Sequence, residues 1–434
     1  MYAALIQQIY TSNPWLSDPK AHILSLDSYI QRLQTQKLLL PDWDNLWLIL
    51  TGPRRAGKTT LGKYLCQHLI NEKKFSNLLY LNCDYLEIRR WLENPNFIHQ
   101  ALQQFKIQKP ILFIDEAQRL ENPGLLLKII ADLQLNIKMI ASGSSQLEIK
   151  SKIQEHLTGR QIESLVLPLS YLELKNNSNI NMYDLLTYGC YPQIVQQTNK
   201  SILLQQLYQD YVNKDLIEIL KIGKPDIMQK LITLVAHSSG QLVNYSKLSS
   251  DCQVSTSTIY NYLDKLEKTY ILYSIKPFVG NKRAEITSNP IYFFIDNGFR
   301  NQALNNFNSL EMRTDLGLLV ESAVFQELYK FKTQNFLNFN INFWRTTAGA
   351  EVDFVITNSN NIIPIEVKYS NFKHATITRS FRSFLQAYQP KHGVVITKNY
   401  IDEKVFENTS VHFIPMENLT TLLLLLSELL KGTN

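Results

Sequence analysis

The stretch LILTGPRRAGKTTLGKYL, Leu48 to Leu65, constrains this chain more tightly than any other. It runs apolar, breaks at Gly52 and takes on helical character only after Lys58. Its shape is strand, glycine-bracketed loop, amphipathic helix, and Gly52, Gly57, Lys58 and Thr59 fit the phosphate-binding pattern GxxxxGK[ST]. Glycine lets the backbone curl so that successive N–H groups face phosphate oxygens, and the orphan donors at the helix start add a positive dipole end. The expected guest is a polyanion, ATP. Gly52, Pro53, Arg54, Arg55, Ala56, Gly57, Lys58, Thr59 and Thr60 are the candidates to line it. Lys58 would reach the β- and γ-phosphates, and the Thr59 hydroxyl would ligate Mg²⁺.

About fifty residues on, KPILFIDEAQRL runs apolar from Ile111 to Ile114 and ends in Asp115 and Glu116. A strand buried on both faces of a parallel sheet reads as a continuous apolar run, so these carboxylates belong at its C-terminal tip, where ligands bind. Asp115 would hold Mg²⁺ through the groups bound directly to it, and Glu116 would act as general base on the attacking water. A further strand, NLLYLNCDY, lies between the two motifs. That order resembles the AAA-type branch of P-loop ATPases. The resemblance implies a polar sensor near the γ-phosphate at the end of NIKMIASGSS, where Ser142, Ser144 and Ser145 stand and Ser142 is preferred. In LTGRQIESLVLPLS, ahead of a fifth strand at 162–167, Arg160 is either an arginine sensing the γ-phosphate in cis or in trans, or a solvated residue capping a turn.

At 434 residues the chain suggests two to four domains, and 45% hydrophobic residues suffice for ordinary cores. A net charge of +6 permits nucleic acid as a partner without demanding it. Cys66, Cys83, Cys190 and Cys252 are widely spaced without a CxxC pair, which points to a reducing compartment and away from structural zinc. The N-terminus lacks the pattern of a secretory signal, and the leucine run Leu422 to Leu426 is too short to span a bilayer. A cytoplasmic protein with no membrane partner is expected.

Beyond Leu169 the pattern turns helical, with Gly189 and Pro192 in a turn of YDLLTYGCYPQIVQQ. From 226 to 297 it reads helix, helix, turn, helix, strand. In the third helix Ile259, Tyr262, Leu263 and Leu266 form the buried stripe, and Thr256, Ser257, Tyr260, Asn261 and Lys265 the opposite face. This resembles a winged helix, which implies DNA contact through that face and a wing tipped by Gly280, Asn281, Lys282 and Arg283. Asp264 and Glu267 dilute the charge of the face, and many winged helices bind protein.

The last third carries Glu321 in the helix GLLVESAVFQELYKF, Asp353 in a strand, and Glu366 and Lys368 in NIIPIEVKYSN. Residues two apart on a strand share a face, so a paired strand can bring Asp353 beside Glu366 and Lys368. Two carboxylates with Mg²⁺ or Mn²⁺ and a lysine suit metal-dependent phosphodiester cleavage. The set resembles the PD-(D/E)xK nucleases, with Glu321, Asp353 and Glu366 as the implied metal ligands and Lys368 as the catalytic lysine, though Val352 replaces the motif proline. The alternative is a plain ion pair without metal.

Together GPRRAGKTT, FIDEAQ, ASGSS, YGCYP, ESAVFQEL and EVDFVI…IEVK resemble predicted prokaryotic AAA-type ATPases with a winged-helix and nuclease-like C-terminal half. The fold expected is α/β: an N-terminal helical segment (1–40), an AAA-type P-loop ATPase domain with a parallel five-stranded sheet (41–170), a helical connector (171–225), a winged-helix domain (226–300) and a PD-(D/E)xK-like α/β domain (310–434). The expected activity is Mg²⁺-dependent ATP binding with slow hydrolysis, coupled to DNA and open to self-association. The alternative is a nucleotide-controlled protein-interaction switch on an inactive nuclease-like scaffold.

Overall fold

Short apolar runs buried on both faces become strands, and in the first part of this chain five of them pair in parallel. A computed structural model describes residues 2–18, 20–27, 29–44, 46–94, 96–104, 109–133, 137–144, 160–177, 181–212, 216, 223–279, 289–359 and 361–430. Two units are present: Met1–Pro168 with Lys268–Tyr270, and Leu169–Glu267 with Ile271–Asn434.

The first unit is built on β1 (Trp47–Thr51), β2 (Leu78–Asn82), β3 (Ile111–Asp115), β4 (Lys138–Gly143) and β5 (Gln161–Leu165), in the order β2-β3-β4-β1-β5. Each pair is parallel. The fifth strand begins one residue earlier and ends two sooner than its apolar run predicts. Ile111, Leu112, Phe113 and Ile114 are fully buried, which places the carboxylates that follow at the C-terminal rim of the sheet. The order puts β1 between β4 and β5, so the loop after β1 faces the tips of its neighbours.

An edge strand exposes unpaired backbone groups. Here the edge of β2 is covered from the N-terminus: the Asn13 amide donates to the Tyr80 carbonyl (2.9 Å) and accepts from the Tyr80 N–H (2.6 Å), and the Trp15 indole donates to the Leu78 carbonyl (2.8 Å). The N-terminal helix Tyr2–Ser12 thus belongs to this unit, with Leu5 and Ile9 in its core.

The second unit carries an eight-stranded mixed sheet, ordered β12-β13-β11-β10-β9-β8-β6-β7. Its strands are β6 (Leu272–Pro277), β7 (Ile291–Phe294), β8 (Asn340–Arg345), β9 (Glu351–Thr357), β10 (Ile362–Val367), β11 (His392–Thr397), β12 (Asp402–Phe406) and β13 (Thr409–Pro415). Ahead of β6 come helices Pro225–His237, Tyr245–Cys252 and Thr256–Lys268, with an isolated bridge from Leu242 to Ile291 between the first two. Ile259, Tyr262, Leu263 and Leu266 are buried as their spacing predicts. The expected wing has β6 and β7 as antiparallel arms, but β6 also pairs with β8, so the hairpin extends the C-terminal sheet. Its expected tip, Gly280, Asn281, Lys282 and Arg283, lies outside the described residues.

The motif YGCYP has a packing explanation. Asp296 caps the helix Asn297–Leu304 through the Gly298 N–H (2.9 Å) and also accepts from the Cys190 N–H (2.7 Å). A Cβ on Gly189, at φ +76°, would fall 2.0 Å from that carboxylate, so only glycine fits. The leucine run lies in the helix Leu419–Leu430, where Leu422, Leu423 and Leu426 are buried. No described helix is long and apolar enough to cross a membrane.

Candidate functional site

The loop after β1 closes on itself as its sequence requires. Gly52 has φ +135°, and a Cβ there would lie 2.1 Å from the Val166 carbonyl oxygen, so the loop seats against the chain leaving β5 only with glycine. Pro53, Arg54, Arg55 and Ala56 form the turn, and Gly57 caps the helix Lys58–Asn71 in a left-handed conformation. The Lys58 ammonium donates to the carbonyls of Gly52 (2.9 Å) and Pro53 (2.8 Å), which holds it over the loop. Thr59 and Thr60 open the helix. Arg32, a residue no motif singles out, is buried and donates to the Ala56 carbonyl (3.3 Å) and the Leu167 carbonyl (2.5 Å), buttressing the loop from outside.

Across from the loop, three hydroxyls converge on Asp115. Thr59 donates to its two oxygens (3.1 and 2.9 Å), Tyr80 to Oδ2 (2.7 Å) and Ser142 to Oδ1. The geometry thus places Thr59, Ser142 and Asp115 together; Tyr80 carried no motif signal. Glu116 follows in a left-handed conformation (φ 54°, ψ 41°), a strain on the order of 1–2 kcal/mol for a residue with a Cβ. Its N–H donates to Ser142 Oγ (3.2 Å), and its carboxylate accepts from Gln118 Nε2 (2.5 Å). Gln118 is itself fixed on Ser144, through Nε2 to Oγ (2.9 Å) and the Ser144 N–H to Oε1 (3.3 Å). The base candidate is therefore tied to the tip of β4. Ser145 lies outside the described residues.

Arg160 requires a correction. Its carbonyl accepts from the Trp47 N–H (2.9 Å), and Trp47 pairs with Gln161 while Thr51 pairs with Leu165. Arg160 thus stands at the N-terminal end of β5, about 15 Å of strand from the phosphate loop of its own chain. Strand direction, which the local sequence does not display, removes the in-cis option.

In the second unit β9 and β10 are antiparallel, and their register brings Asp353 beside Glu366 and Lys368 as the spacing implies. Asp353 Oδ2 accepts from the Val367 N–H (2.6 Å), Glu366 accepts from Thr378 Oγ1 (2.8 and 3.1 Å), and Lys368 Nζ lies 3.4 Å from Glu366. Burial pushes the Asp353 carboxyl up to about 7, against the Val367 N–H and Lys368. Burial, then the charges of Asp353 and Glu351, holds Glu321 well above the usual carboxylate range. Glu366 is raised by burial, with Lys368 opposing. Burial draws the Lys368 ammonium down, but Glu366 and Asp353 outweigh it and its pKa is raised. Yet no three His, Cys, Asp or Glu side chains among the described residues are grouped to hold a metal ion. Glu321, Glu351 and Asp353 line one pocket, while Glu366 and Asp353 are engaged by Thr378, Lys368 and the Val367 amide.

Residues 44–175 match a family described as an AAA domain. Residues 180–310 and 316–419 match two families described as domains of unknown function (DUF8612 and DUF4143). An uncharacterized protein of Haemophilus influenzae is 24% identical over 415 residues, 90% of this chain and 98% of the relative. Uncharacterized proteins of Methanocaldococcus jannaschii (27% over 348 residues, 74% of each chain) and Mycobacterium tuberculosis (25% over 344 residues, 78% and 73%) are also similar. Among solved structures, AMPPCP-bound DnaA from Aquifex aeolicus overlaps with a TM-score of 0.27 at 11% identity, over 54% of this chain and 85% of that one. C. elegans PCH-2 overlaps with a TM-score of 0.23 at 17% identity, over 54% and 66%. Overlaps this low carry no argument. The first unit is thus an α/β fold on a parallel five-stranded sheet, and most of it matches the AAA-domain family.

Proposed function

We propose that the chain binds ATP with Mg²⁺ and hydrolyses it slowly. The observation that carries this reading is the meeting of Thr59, Ser142 and Asp115 beside Glu116 at the open end of the sheet. A hydroxyl and a carboxylate 2.9–3.1 Å apart are hard oxygen donors of the kind Mg²⁺ takes, so Thr59 and Asp115 fit the ion. Bound there, Mg²⁺ supplies positive charge against the phosphates. Lys58 leaves its loop carbonyls for the β- and γ-phosphates, and the loop N–H groups hold the remaining oxygens. Glu116 takes the proton of the attacking water while Gln118 holds its carboxylate in place. Ser142 reports the γ-phosphate to Asp115 and Glu116. Arg160 acts, in this reading, on the nucleotide of a neighbouring copy. Glu116→Gln should retain nucleotide binding and lose turnover by about 100-fold or more; wild-type turnover in that variant would remove Glu116 as the base.

We further propose that turnover is coupled to DNA through a winged helix at 226–300. In its support, Tyr260 is exposed on the helix Thr256–Lys268 and stacks on Tyr245, with ring centroids 3.9 Å apart. Glu267 accepts from the Ser274 N–H (2.9 Å) and is turned toward the hairpin, which lessens its dilution of the charge of that face. DNA-stimulated ATPase activity is the test. Replacing Lys282 and Arg283 with Glu should lower DNA affinity and flatten its salt dependence.

For the nuclease-like part (310–434) we retain two readings. In one, Asp353, Glu366 and Lys368, with Glu321 nearby, hold Mg²⁺ or Mn²⁺ and nick DNA. In the other it is an inactive scaffold in a nucleotide-controlled switch, a reading the Lys368–Glu366 ion pair favours. Plasmid cleavage in Mn²⁺ by wild type and not by Asp353→Ala selects the first; no cleavage and no metal uptake by calorimetry selects the second.

A further inference from the structure

We infer that Tyr80 is a positioning residue for the metal of the nucleotide site, acting through Asp115. This rests on reading Gly52–Thr60, Asp115 and Glu116 as an Mg²⁺–ATP site. A carboxylate has two oxygens, and its usefulness toward a metal depends on which way they point. Asp115 is only 2% exposed and sits at the last position of β3, where its side chain has rotational freedom unless something outside the strand fixes it. Thr59 and Ser142 are not suited to fix it, since Thr59 is itself a candidate metal ligand and Ser142 a candidate phosphate sensor, so both exchange partners when nucleotide is bound. Tyr80 has neither task.

The phenol is held for this purpose from several sides. Its backbone is gripped at both N–H and C=O by the Asn13 amide. Its ring meets the Phe113 ring edge-on at 5.3 Å, and the Lys63 ammonium lies 4.4 Å from its centroid. The hydroxyl donates to Asp115 Oδ2 at 2.7 Å, in the range of a short hydrogen bond to a charged acceptor. Tyr80 lies on β2, one strand over from Asp115, with Tyr80 paired to Phe113 and Asn82 to Asp115. The side chain thus spans the pair diagonally and turns the carboxylate toward Thr59 on the phosphate-loop helix. Groups that orient a metal ligand in this way typically contribute 10–100-fold in metal affinity or activity when removed.

The test is the affinity of a non-hydrolysable ATP analogue measured with Mn²⁺ and again with EDTA, in wild type, Tyr80→Phe and Asp115→Asn. Tyr80→Phe keeps the ring contacts with Phe113 and Lys63 and removes only the hydroxyl; its thermal midpoint in EDTA should fall by no more than one lost hydrogen bond to a charged group accounts for. The metal-free affinity should be unchanged in Tyr80→Phe, while the gain conferred by Mn²⁺ falls by about 10-fold. The Mn²⁺ EPR signal of the ternary complex should broaden, and the Mg²⁺ needed for half-maximal turnover should rise with little change in kcat. An equal Mn²⁺ gain in wild type and Tyr80→Phe, with Asp115→Asn impaired, would overturn the assignment to Tyr80 alone. A loss of affinity in EDTA as large as that in Mn²⁺ would make Tyr80 a packing residue and overturn it too. If Mn²⁺ gives wild type no gain, the nucleotide-site reading itself falls and takes this inference with it.

Discussion

Two carboxylate pairs, each with a lysine at hand, are treated in opposite ways by this chain. In the first unit Asp115 receives three hydroxyls, Glu116 receives a carboxamide, and Lys58 rests on two backbone carbonyls. These partners are neutral dipoles. In the second unit Glu366 and Lys368 meet each other, and burial raises Asp353, Glu366 and Glu321. There the Thr378 hydroxyl and the Val367 N–H reach only one acid each, and the acids also face one another and Lys368. The contrast teaches that buried acids with a lysine nearby become a ready site when dipoles hold each charge, and an electrostatic burden when acid lies against acid.

Several substitutions would break or sharpen that contrast. The largest effect is expected at Gly52→Ala, where the added Cβ meets the Val166 carbonyl at 2.1 Å; nucleotide affinity by calorimetry should fall by about 100-fold as the loop is pushed from its seat. The acid cluster should respond in the reverse sense. Because the folded pKa of Asp353, about 7, lies above its unfolded value, the folded state binds the extra proton, and that stability is full at pH below about 4 and lost as pH rises through 7. Asp353→Asn should therefore raise the thermal midpoint at pH 8, by roughly 5 °C, with the gain shrinking toward pH 4. A gain that grows as pH falls would contradict the burial argument.

The local part of this account was legible in sequence. Lys58 and Thr59 follow their glycines within one turn, and Asp115 and Glu116 end an apolar run, so pattern alone locates them. What pattern did not show depends on pairing between strands distant in the chain. Tyr80 reaches Asp115 only because β2 lies beside β3, and Gln118 reaches Ser144 only because β4 lies beside β3. Arg160 is far from its own loop because β5 runs parallel to β1. The merger of β6 with the C-terminal sheet was hidden for the same reason. In the second unit alternation put Glu366 and Lys368 on one face, but the approach of Asp353 depends on the pairing of β9 with β10, and Thr378 as the partner of Glu366 had no sequence signal.

Smaller effects refine the first half of the comparison. Gln118→Ala removes the carboxamide that orders Glu116 and should lower kcat by about 10-fold with the KM for ATP unchanged, as expected for a lost hydrogen bond to a charged group. Arg160→Ala and Glu116→Gln chains, each inactive alone, should recover a minor part of turnover when mixed if Arg160 acts across copies. No recovery would leave Arg160 a solvated residue at a strand start.

The central claim, that dipoles at the end of the five-stranded sheet prepare a site for ATP and Mg²⁺, is tested most directly by calorimetric titration of the wild-type and Lys58→Ala proteins with ATP in Mg²⁺. The account predicts one ATP bound per wild-type chain, and an affinity lower by about 10–100-fold when the Lys58 ammonium is removed. Equal affinity in the two proteins, or no binding to wild type, would contradict it.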